Sequence, residues 1–209
     1  MAAGTVVPGA DRRTAIMEAA LGVFLRYGYR KTSMDDLARA AGISRQGLYL
    51  HFASKDELFK AAVTWFAQKG LAAMRAALAR EDQPIEERLI GAFAALHVQS
   101  DGSQMSLEHM TEIVATARQL VGPVLEEFDQ VVPKELARAI QSSGAAVAWS
   151  DAGLTAKALA QHLYAASHGL KHYARTAAEY QAGIRVAVRL VCGSPAPAAR
   201  RATPAAAKP

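Results

Sequence analysis

Ser44, Arg45, Gln46, Gly47 and Tyr49 form the densest run of groups able to recognise another molecule. An arginine can donate two parallel hydrogen bonds to guanine, and a glutamine can pair in bidentate fashion with adenine. Serine and tyrosine hydroxyls suit phosphate oxygens, as do the free amides at a helix N-terminus. Histidines form the other chemical group: His97, His109, His162, His168 and His172. His168 and His172 are spaced i, i+4, which can hold zinc on one helix face. No cysteine stands near them, and no HExxH, P-loop or GxSxG motif is present. The expectation is therefore no metal, no cofactor and no catalysis. Cys192 is the one cysteine. It reads as a small apolar residue near a helix end, and a lone thiol suits a reducing compartment.

Helices must position these groups. Ile16, Ala20, Val23, Phe24 and Tyr27 fall on one face of a first helix, which Gly28 can end. Ser33 suits the N-cap of a second helix, with Asp36 in the capping-box position and Met34, Leu37, Ala38 and Ala41 as its apolar residues. Gly42 breaks it. Ser44 caps a short third helix carrying Leu48 and Phe52. Ser54 and Glu57 form a capping box for a long fourth helix, from about 55 to about 80. Five more helices are expected at about 85–99, 104–117, 123–142, 155–176 and 179–192. Pro133 predicts a kink or break, and residues 143–153 a loop. The fold expected is all-α with about nine helices.

The second and third helices are too short to form a core and must pack on the Ile16/Phe24 face of the first. Small Ala38 and Ala41 allow a close crossing. That is the plan of a helix-turn-helix, whose second helix can enter the DNA major groove. The competing reading is a solvated hairpin whose Arg and Tyr face water.

Composition agrees with a folded, basic chain. It has 209 residues, 51% of them hydrophobic, and a net charge of +5. Residues 1–60 hold nine Lys/Arg against six Asp/Glu, so the excess is concentrated there. Such a balance suits a polyanion, although many basic proteins bind none. No signal peptide is apparent and no run approaches the apolar length of a membrane span, so a cytoplasmic location without membrane contact is expected. Residues 1–10 and the Pro/Ala-rich residues 193–209 read as irregular. A head at 11–54 and a body at 55–192 lie between them.

The strings FLRYGYRKTSMDDLARAAGIS and RQGLYLHFASKDELF resemble the DNA-binding signature of the TetR/AcrR family. The close resemblance spans about residues 12–60. It implies a sequence-specific regulator, most often a repressor released from a palindromic double-stranded operator by a small-molecule inducer. The alternative is a DNA-binding dimer without an inducer, controlled by a protein partner or by abundance. By the same resemblance, Thr32 and Ser33 would contact phosphates, Arg45 and Gln46 would read bases, and Gly47 would let the backbone approach the groove. Tyr49, His51 and Lys55 would touch phosphates. Asp35 and Asp36 depart from the usual pattern. They would repel phosphate unless turned away, and their helix N-terminal place gives them a structural reason.

Family members sense ligands in the helical body and form homodimers through their last two helices. Phe66, Phe93, His97, His109, Met110, Trp149, Tyr164 and His168 are the candidate pocket residues, apolar walls with a few polar groups. Leu159, Leu163, Ala166, Leu170, Ile184, Val188 and Val191 are the candidate dimer residues. They would build a four-helix bundle with a second copy, unless the stripes serve the body's own core.

Overall fold

The computed structural model describes residues 8–96, 107–174 and 176–193. Among them there is no strand. The elements are α1 (Pro8–Tyr27), α2 (Met34–Ala40), α3 (Arg45–His51), α4 (Lys55–Leu78), α5 (Ile85–Leu96), α6 (Leu107–Ser142), a 3-10 stretch (Ala145–Ala152), α7 (Ala156–Tyr173) and α8 (Ala177–Cys192). Short polar side chains start them. Ser33, Ser44, Ser54, Thr155 and Thr176 each accept a backbone N–H three residues on. Each such cap contributes about 1 kcal/mol.

Three local expectations need correction. α1 begins at Pro8, inside the stretch read as irregular, because proline's fixed φ suits a first helical turn. The segment 143–153 is not an open loop: it winds into 3-10 turns between Gly144 and Gly153, both at positive φ. The chain stays helical through Pro133; the single non-helical residue of α6 is Val121 (φ −135°, ψ 30°), just before Pro123. Val132 and Leu136 on either side of Pro133 are fully buried, and that packing outweighs the lost backbone hydrogen bond.

Two cores result. The head core gathers Ile16, Ala20, Phe24, Leu37, Ala38, Leu48, Phe52, Leu58 and Phe59. Tyr29 joins it, with its ring 5.6 Å from Phe24 and 5.0 Å from Phe59, whereas Tyr27 is turned outward. The body core is built on Met74, Leu89, Phe93, Leu136, Ile140, Leu163, Ile184 and Val188. α4 and α6 belong to both. The first half of α6 gives Ile113, Ala117 and Val121 to the head, so the head core extends beyond residue 54. At the far end of α4, the buried Arg88 of α5 donates from Nε to the Leu78 carbonyl at 2.8 Å. This satisfies one of the carbonyls that a helix end leaves open.

The expected dimer residues turn inward. Leu159, Leu163, Ile184, Val188 and Val191 are buried in the protomer's own core, and Leu170 packs against it. Ala166 is half-buried. Leu170 lies over Gly183, where a Cβ would meet its Cδ2 at 2.4 Å, so α7 and α8 cross closely at that point. Among the side chains α8 leaves outside, Ala182, Val186 (58% exposed) and Leu190 (68% exposed) form an apolar stripe spaced i, i+4, i+8.

Gly28 joins head to body. Its φ is +81°, and a Cβ there would meet Glu112 of α6 at 2.4 Å. Glu112 Oε1 accepts the Arg30 backbone N–H at 2.8 Å. Gly28→Ala therefore imposes a left-handed penalty of about 1–2 kcal/mol and displaces Glu112. The denaturation midpoint is expected to fall accordingly in urea unfolding; an unchanged midpoint would mean that this turn is not held as described.

Candidate nucleic-acid interface

α3 is anchored by one fully buried side chain, Leu48, with Phe52 just past its end. The remaining positions turn outward. Arg45, Gln46, Tyr49 and Leu50 are exposed, and Gly47 and His51 are half-buried. Ser44 stands at the N-cap, its Oγ accepting the Gly47 N–H at 3.0 Å. The turn before it closes with the Ile43 N–H on the Ala38 carbonyl at 3.0 Å, Gly42 taking the left-handed conformation (φ +63°). The outward group thus carries two amide- or guanidinium-type donors, a phenol and an apolar tip. Leu50, at 83% exposure, is absent from the sequence-based set. The signal was available: residues 45, 46, 49 and 50 share the face opposite Leu48. An exposed leucine can pack on a thymine methyl.

Charged side chains hold this helix from behind. Arg13 of α1 donates from Nη1 to the His51 carbonyl at 2.6 Å, covers the Phe52 ring at 4.0 Å, and lies 3.7 Å from Glu57. On the outer side, Arg45 Nη1 is 3.2 Å from Asp35 Oδ2, and its guanidinium lies 5.7 Å from the Tyr49 ring centre. Asp36 instead closes the α2 capping box. Its Oδ2 accepts the Ser33 N–H at 3.0 Å, and hydrogen bonding to Ser33 holds its carboxyl below the usual range.

Two expected phosphate contacts are engaged elsewhere. Thr32 is only 3% exposed, and its hydroxyl donates to the Gly28 carbonyl at 2.7 Å. Lys55 Nζ donates to the Tyr29 and Thr32 carbonyls, each at 3.0 Å, and lies 4.3 Å from the Tyr29 ring centre. The Tyr29 hydroxyl in turn donates to Asp56; burial first, and then this bond, raises the phenol pKa. Both residues brace the α1–α2 turn. Ser33 remains exposed at the start of α2.

The candidate pocket residues do not line one cavity. Phe93 is buried in the body core. Trp149 donates from Nε1 to the Val191 carbonyl at 2.8 Å. The Tyr164 hydroxyl donates to Asp129 at 2.6 Å, and the His168 ring meets Tyr164 edge-on, with centres 4.5 Å apart. His109 instead faces Gly28 at the head, and Phe66 is half-buried on α4. His97 and the Met110 side chain lie outside the described residues. An open concavity of about 470 Å³ lies between α1 and α4, edged by Met17, Lys60 and Trp65. Among the described residues no three His, Cys, Asp or Glu come together as a metal site, and no helix is long and apolar enough to cross a membrane. Burial pushes the Cys192 thiol up to about 11, which keeps it protonated as a small packed residue.

A short outward-facing helix on a three-helix head, carried by an all-helical body, defines a helix-turn-helix protein. Residues 16–62 match the family described as bacterial regulatory proteins, tetR family. The transcriptional repressor ComR of Escherichia coli strain K12 is 33% identical over 84 residues, 40% of each chain. The transcriptional activator FasR of Mycolicibacterium smegmatis is 37% identical over 75 residues, 36% of this chain and 34% of its own. The chain therefore spans well under half the length of these relatives. The fold likeness reaches further. A TetR regulator from Legionella pneumophila superposes with a TM-score of 0.65 over 84% of this chain and 94% of its own, at 18% identity. Reduced E. coli NemR gives 0.65 over 89% and 99%, at 16% identity.

Lys55→Met separates bracing from phosphate binding. The expected result is a loss of about 1–3 kcal/mol of stability, since two carbonyls lose a charged donor, with an unchanged salt dependence of DNA affinity. A salt slope smaller by about one, at unchanged stability, would place Lys55 on a phosphate instead.

Proposed function

We propose that this protein is a transcription regulator that binds a palindromic duplex operator as a homodimer and reads it with α3. The observation that carries the reading is the outward group Arg45, Gln46, Tyr49 and Leu50, held on a braced head of TetR type. In this reading Arg45 and Gln46 take base edges, and Leu50 takes a thymine methyl. Ser33, Ser44, Tyr49 and His51, with the amides at the start of α3, take the backbone, and Gly47 gives clearance. One relative is named a repressor and another an activator.

Pairing of two heads follows from the same logic, because half-site readers gain affinity and register by dimerising. The surface that supports it is the Ala182, Val186 and Leu190 stripe of α8, apolar and unoccupied within the protomer. Release by a small-molecule ligand is supported by α4 and α6, which contribute to both cores and so couple body packing to head position. Control by a protein partner or by abundance is favoured by one observation: Phe93, Trp149 and Tyr164 belong to the body core, whereas His109 faces Gly28 at the head.

Selection from random duplex DNA tests the reading. A single palindromic site is expected, with about tenfold weaker binding for Arg45→Ala and a lost preference at one position of each half-site. Sequence-blind binding would overturn it. Leu190→Glu is expected to leave the protomer folded and convert the dimer to monomer in analytical ultracentrifugation, with operator affinity lost. A dimer that survives this change would put the interface elsewhere.

A further inference from the structure

Asp35 lies in the first turn of α2, where its charge suits the helix dipole, but it makes no capping hydrogen bond there. The capping box is complete without it, since Ser33 and Asp36 satisfy each other. Its carboxylate reaches instead to α3, 3.2 Å from Arg45 Nη1. Both partners are more than half exposed, so the pair contributes little to stability. A carboxylate beside a DNA-facing helix also repels phosphates at short range, which weakens binding to any sequence. Beyond its place in that first turn, the contact through which Asp35 can act is Arg45.

An unrestrained arginine on an exposed helix reaches the nearest phosphate, a contact that carries no sequence information. Here the guanidinium is held on one side by Asp35 and approached on the other by the Tyr49 ring. Asp35 engages one of its N–H donors, which orients the planar fork. We propose that Asp35 is a specificity-determining positioning residue: it holds the Arg45 fork for a base edge and keeps it off the phosphates. The inference rests on α3 being the DNA-reading helix.

The test compares full-length wild-type protein with Asp35→Asn, Asp35→Glu, Arg45→Ala and the double variant D35N/R45A. Binding is measured at one fixed ionic strength to the selected operator, to that operator changed at the Arg45-dependent base pair, and to random duplex. Asp35→Asn is expected to bind random duplex severalfold more tightly and to lose about tenfold in discrimination at that base pair. Asp35→Glu is expected to keep the discrimination. In the Arg45→Ala background, the Asn change is expected to leave the lost preference as it is. A melting curve for each variant excludes unfolding, and Asp35→Ser replaces Asn if the latter melts early. Undiminished discrimination in D35N, or a loss equal at every base pair, would overturn the inference while leaving the regulator reading intact. Failure of the wild type to select any site would overturn that reading itself.

Discussion

A seven-residue helix closes too few hydrogen bonds to be stable in water, and nucleation costs more than so short a run returns. α3 can present Arg45 and Gln46 only because something else fixes it. Leu48 and Phe52 give it an apolar root in the head core. Arg13 takes the His51 carbonyl at one end, and Ser44 caps the other. The aromatic group of Phe24, Tyr29 and Phe59 lies beneath, and Lys55 ties the α1–α2 turn to the start of α4. Once these constraints are met, the outward face of α3 is free to carry whatever side chains recognition requires.

Much of this was legible in the residues. Helix starts follow from Ser33, Ser44 and Ser54, because a short side-chain oxygen at the N-cap acts through the local backbone alone. Gly28 and Gly42 are readable for the same reason: a positive φ is a single-residue property. The break ahead of Pro123 lies in that class too. The helix-turn-helix plan needs only the apolar period and the lengths of α2 and α3.

What was not legible depends on partners distant in sequence. The stripe of Leu159, Leu163, Ile184 and Val188 announces a buried face but not what buries it, and the body's own core does so. Thr32 and Lys55 have the right chemistry for phosphate, yet carbonyls of the α1–α2 turn take their donors. Arg13 looks like any surface cation until α3 is placed against it. The candidate pocket residues share a chemical type, and type does not bring His109 and Trp149 to one place. Asp35 is the opposite case: its charge looked like an obstacle on the sequence, and its partner ten residues away gives it a use.

The two cores share α4 and α6, so head and body are not independent units. The cap that Arg88 places on the Leu78 carbonyl has a mechanical meaning. It pins the distal end of α4 to α5, leaving the other end beside α3. A 24-residue helix is about 36 Å long. With the distal end as fulcrum, a tilt of about 4° carries Lys55 through about 2.5 Å. α4 is in that sense a lever, and small rearrangements near its pivot arrive at the head magnified.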